Sequence, residues 1–157
     1  MAWEDWQDER RVGVWNQILD LLEDEALRFR IDRRHEANVT VTRARWDTPS
    51  IEMRWGDSVV QRSIHVVVKG DRWPLTVEFS GVVWQDRDRP EGRERRWKSE
   101  TGASRPCADV EELRRRVHQD LEETFQAVAA LIVSDGKVAI IPSEATRLPS
   151  GKATSAD

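Results

Sequence analysis

Residues 58–85, SVVQRSIHVVVKGDRWPLTVEFSGVVWQ, decide the fold. They contain two runs rich in Val, Ile, Thr and Phe, at 58–68 and 73–85, separated by Lys69-Gly70-Asp71-Arg72. β-branched residues alternating with polar ones on either side of a Gly-Asp turn predict two paired antiparallel strands. The same period of two continues upstream. Residues 50–55 set Ile51, Met53 and Trp55 on one face against Glu52 and Arg54 on the other, and residues 38–46 alternate Val39 and Val41 with Thr40 and Thr42. The Asp47-Thr48-Pro49 and Gly56-Asp57 turns join these strands into a meander. Downstream, residues 86–92 are polar and include Pro90 and Gly92, which predicts a loop, with residues 93–100 returning as a polar fifth strand.

At both ends of the meander the period changes to that of a helix. Trp15, Ile18, Leu19, Leu22, Ala26 and Phe29 recur at spacings of three and four and predict an amphipathic helix over 8–29, preceded by Trp3 and Trp6. Arg28, Arg30, Arg33 and Arg34 fall at its C-terminal end, where positive charge complements the helix dipole. Residues 101–106 read as a linker. Asp109 followed by Glu112 then forms a capping-box pattern, opening a second helix whose stripe is Val110, Leu113, Val117, Leu121, Phe125, Val128 and Ile132. Ser134-Asp135-Gly136 ends that helix, residues 137–141 are a short terminal strand, and residues 142–157 read as a flexible tail.

The expected fold class is therefore α+β. An antiparallel sheet of four to five strands carries an N-terminal and a C-terminal amphipathic helix packed on one face, as a two-layer sandwich, in a single domain over residues 1–141. A chain of 157 residues has room for one substantial core. The covered face should bear Ile51, Met53, Ile64, Val66, Val68, Leu75, Val77 and Phe79, leaving Thr40, Arg54, His65, Glu78, Val82 and Trp84 on the other.

Charge is segregated along the chain. Residues 1–27 carry 2 basic and 8 acidic groups, 28–105 carry 17 and 12, 106–136 carry 3 and 7, and 137–157 carry 3 and 2, within an overall charge of −4. A basic sheet between acidic helices bears on the choice of partner more than on fold. The single cysteine, Cys107, excludes an intramolecular disulfide and a multi-cysteine metal site. With no signal-like start and no apolar run of membrane-spanning length, the expectation is a cytoplasmic protein with no membrane partner.

Motifs for chemistry are missing. His35, His65 and His118 show no ligand spacing, there is no G-x-S-x-G, and the glycines are scattered at turns rather than gathered in a phosphate loop. The acidic pairs, including Glu23-Asp24-Glu25, Glu111-Glu112 and Glu122-Glu123, read as water-facing helix surface rather than general acids and bases in a dry cleft. No enzyme, cofactor or metal is expected. His65 and Glu78 are the candidates for a ligand pocket, with Glu78 expected to pair with Arg54 or Arg62 across the sheet.

The most distinctive surface combines arginine with tryptophan: Arg43, Arg45, Trp46, Arg54, Trp84, Arg87, Arg95, Arg96 and Trp97. Guanidinium groups beside aromatic rings suit protein interfaces and also single-stranded nucleic acid, although Asp86, Asp88, Glu91 and Glu94 are interleaved with the hairpin arginines. The reading is a non-enzymatic protein-interaction module of adaptor, chaperone or inhibitor type. Its protein partner, or a second copy in a homodimer, meets the open sheet face and the Arg/Trp-rich hairpin. The alternatives are a nucleic-acid-binding accessory protein and a small-ligand-binding domain.

Overall fold

The structure, a computed structural model, describes residues 3–45, 48–102, 104–133 and 137–141. Helix α1 spans Trp3–Asp32 and α2 spans Val110–Ala129; between them lie β1 (Thr40–Arg45), β2 (Pro49–Gly56), β3 (Val60–Lys69), β4 (Leu75–Arg89), β5 (Gly92–Thr101) and β6 (Arg105–Cys107), and β7 (Lys137–Ile141) closes the chain. All pairings are antiparallel, in the order β1-β2-β3-β4-β5-β7, with β6 continuing beside β4 where β5 ends. The architecture is an open antiparallel α+β sheet with two helices. Residues 46, 47, 134–136 and the expected tail at 142–157 lie outside the described residues, as does Trp46 with them.

Five elements differ from the sequence reading, and the sheet has seven strands rather than four to five. Helix α1 begins at Trp3, so Trp3 and Trp6 belong to the helix rather than preceding it. The stretch read as a loop at 86–92 is mostly strand: β4 runs on to Arg89 and β5 starts at Gly92, whose φ of 146° suits a residue without Cβ. Opposite charges hold these polar arms together, with Arg95 Nε 2.7 Å from Asp86 and Arg89 3.1 Å from Glu94. The supposed linker contains β6, where Leu75, Thr76 and Val77 of β4 pair with Cys107, Pro106 and Arg105. Helix α2 ends at Ala129, leaving Ile132 beyond it and 66% exposed.

The cap forms at Asp109, with Glu112 reaching back to the amide of the preceding residue rather than to that of Asp109 itself. Asp109 Oδ1 accepts from the Glu112 amide at 2.9 Å, while Glu112 Oε1 accepts from the amide of Ala108 at 2.6 Å. At the other end of α2, Arg62 of β3 donates to the carbonyl of Val128 at 3.3 Å and, just past the helix, to that of Leu131 at 3.4 Å, tying β3 to the helix C-terminus.

All eight residues named for the covered face are buried, and they belong to one cluster with Ile18, Leu22, Ala26 and Phe29 of α1 and Leu113, Val117, Leu121, Phe125 and Val128 of α2. Trp55 stacks on Phe125 with ring centroids 4.8 Å apart, and Phe29 meets Phe125 edge-on at 5.3 Å, so β2, α1 and α2 converge on one aromatic contact. Gly81 of β4 permits the closest approach. A Cβ there would sit 2.2 Å from Val128 Cγ2, so only glycine lets α2 lie this near the strand.

Candidate functional site

Strand parity sorts the arginines and tryptophans. Cross-strand register sets Trp84 opposite Trp97, Asp86 opposite Arg95 and Val82 opposite Ser99. These stand on the face turned away from the buried Val77, Phe79 and Val83. Arg54 joins them from β2: its guanidinium carbon is 5.6 Å from the Trp84 ring centroid, and that of Arg95 is 5.7 Å from it. Thus Arg54, Trp84, Arg95 and Trp97 form one outer-face patch.

The remaining members lie elsewhere. Arg43 pairs in register with the buried Ile51, and Arg87 and Arg96 pair with Glu94 and Gln85, all with the parity of the core face. Arg43 binds Asp20 and Glu23 of α1, the latter at 3.0 Å, and these two contacts raise its already high pKa, Glu23 most. Arg96 Nε is 3.6 Å from Glu94, while Arg87 is exposed near the hairpin tip. Arg45 lies at the end of β1, its side chain outside the described set. The nine-residue grouping is therefore not one surface, because consecutive strand residues point to opposite sides.

Compensation within the outer patch is close to complete. Arg95 makes a forked contact with Asp86 at 2.7 and 3.0 Å, and this guanidinium holds the Asp86 carboxyl below its ordinary range against the opposing effect of burial. Arg54 lies 3.0 Å from Glu52, which also sits 3.2 Å from His65 Nε2. Glu78 pairs with neither Arg54 nor Arg62. It is 3.0 Å from Lys69 and accepts from Ser104 Oγ at 3.0 Å, and the Lys69 ammonium, then Ser104, hold its pKa low. His65 and Glu78 share the outer face but engage different partners.

Three titratable groups outside the expected site, Glu25, Asp120 and Cys107, are buried by the fold. Glu25, read as water-facing, is 2% exposed; its carboxylate lies 3.2 Å from both Arg114 and His118 Nδ1 of α2 and 3.7 Å from Arg28. Its position three residues after Leu22 and four before Phe29 places it on the apolar stripe, which was the available signal. Asp120, 6% exposed, meets Arg105 at 3.3 Å, yet burial outweighs that cation and raises its pKa. Cys107 is buried without exposure, and desolvation raises its thiol pKa, the opposite of what a reactive thiolate requires.

Among the described residues, no cluster of three or more His, Cys, Asp or Glu side chains is arranged to hold a metal ion. No helix among them is long and apolar enough to cross a membrane. No protein-family model, curated protein or solved structure matches the chain.

Proposed function

We propose that this protein is a non-enzymatic interaction module, of adaptor, chaperone or inhibitor type, whose protein partner docks on the outer sheet face around Trp84 and Trp97. In this reading the two helices form one layer over the opposite face, and the resulting two-layer sandwich presents the patch. The observation that carries it is the setting of Trp84. The ring lies beside two guanidinium groups whose charges are already balanced by Glu52 and Asp86. A patch of aromatic surface and neutralised arginine suits the centre of a protein interface, where Trp and Arg are enriched and net charge is disfavoured.

The same compensation argues against phosphate as the primary ligand, since a nucleic-acid platform depends on uncompensated positive charge. The ligand-pocket alternative has less support, because His65 and Glu78 are each tied to separate neighbours. The free thiol of Cys107 supports a reducing, cytoplasmic setting. A homodimer through the patch is the self-associating form of the same proposal.

The test is affinity capture with the parent protein and with a Trp84→Ala, Trp97→Ala double variant, compared by quantitative mass spectrometry after circular dichroism has shown an unchanged fold. Proteins captured by the parent should drop out with the double variant. Equal recovery by both would remove this face from consideration.

A further inference from the structure

The two helices carry a second surface, independent of the outer-face reading. Low-numbered residues of α1 meet low-numbered residues of α2, and high meet high: Val14 and Val110 border one cavity, Glu25 reaches Arg114 and His118, and Arg33, one residue past the end of α1, contacts Glu122. The helices thus run side by side in the same direction. Along their seam lie two cavities, of about 310 and 440 Å³, separated by the Glu25 clasp. The first has Ile18, Leu21, Leu113 and Trp73 in its lining, with Val110 at its edge 40% exposed. The second is lined in part by Phe29 and Leu121.

The rims are acidic. Asp24 borders the first cavity, and Asp32 and Glu123 border the second; all three are exposed, and among the described residues none has an ion-pair partner. The cations nearby are engaged, since Arg114 and Arg28 are bound to Glu25, and Arg33 to Glu36 and Glu122. Cavities with apolar side chains at their base, the second bordered mainly by charged and polar residues, and with unpaired carboxylates at their rims suit a ligand that is apolar in the middle and cationic at its edges.

We infer that the α1–α2 seam receives a basic amphipathic helix from a partner protein, with two apolar side chains filling the cavities and Lys or Arg residues meeting Asp24, Asp32 and Glu123. The cavities centre about ten α1 residues apart, roughly 15 Å at the helical rise, which matches apolar positions three turns apart on the incoming helix. Charge complementarity selects the basic helix over an acidic one and speeds its approach.

The experiment uses a fluorescein-labelled amphipathic peptide of about 18 Leu and Lys residues, and a counterpart with Glu replacing Lys, in anisotropy titrations at physiological salt. The Lys peptide should bind in the micromolar range and the Glu peptide should not. Asp24→Lys with Glu123→Lys should weaken binding roughly tenfold, whereas Asp71→Lys with Glu91→Lys, the same charge change at exposed positions off the seam, should change it less than about twofold. Three results overturn the inference: no binding of the Lys peptide, equal weakening by both double variants, or light scattering that shows a dimer which the peptide dissociates. The last would make a second copy of the chain the occupant.

Discussion

Trp84 of β4 stands directly opposite Trp97 of β5, and the Trp84 ring has the guanidinium groups of Arg54 and Arg95 within 6 Å of its centroid, at 5.6 and 5.7 Å. Three strands, β2, β4 and β5, thereby contribute to one patch. Because Asp86 fixes Arg95 through a forked contact, the cation is aligned beside the ring rather than searching solvent. The patch is thus preorganised, which in the proposed reading would lower the ordering cost of docking a partner.

Gly81→Ala should lower stability by about 1–3 kcal/mol, because the new methyl would overlap Val128 and one packed element must shift. Val128→Ala removes the clashing group. In urea denaturation the double variant should be more stable than the sum of the two single losses, a coupling that two independent sites would not show.

Glu25→Ala should cost about 2 kcal/mol. Its carboxylate is buried, but Arg114 and His118 keep side-chain exposures of 41% and 68% and can return to water, which holds the loss below that of a fully enclosed pair. Thermal denaturation measures the loss, and an unchanged midpoint would mean that the clasp contributes nothing net.

Asp86 and Asp120 should respond to pH in opposite directions. Asp86 has a folded pKa below its ordinary 3.8, so the folded state binds fewer protons; its contribution is present above that value and fades as pH falls through the lowered one. Asp120 is raised above 3.8 by burial, so its ionised form costs stability at neutral pH and the cost disappears on acidification. Asp86→Asn should therefore be destabilising at pH 7 and neutral once the pH is well below the ordinary carboxylate range. Asp120→Asn should be no less stable than the parent at pH 7, and any advantage should shrink as the pH falls. Urea titrations at both pH values separate the two.

Helical and strand periodicity made most elements legible, down to β7 at Lys137–Ile141 and the Asp109 cap. The hairpin β4–β5 was harder to read, since its outer arms have almost no apolar alternation and rest on pairs such as Asp86–Arg95 and Arg89–Glu94, which become adjacent only after the chain turns. Strand β6 has three residues, one of them Pro106, too few to show a period. The Arg/Trp grouping was legible as composition but not as a surface. Its division between faces depends on strand parity and register, and the compensation of Arg43 comes from Asp20 and Glu23, more than 19 residues away on α1.

Within the outer patch Arg54 and Arg95 are balanced by Glu52 and Asp86, which in the proposed reading leaves the surface around Trp84 to a protein rather than to phosphate. Fluorescence anisotropy of labelled single- and double-stranded oligonucleotides across a salt series decides between the two. No binding is expected at physiological salt, and Arg54→Ala and Arg95→Ala should leave that result unchanged. Binding that falls steeply with salt and weakens in those variants would contradict it and make nucleic acid the partner.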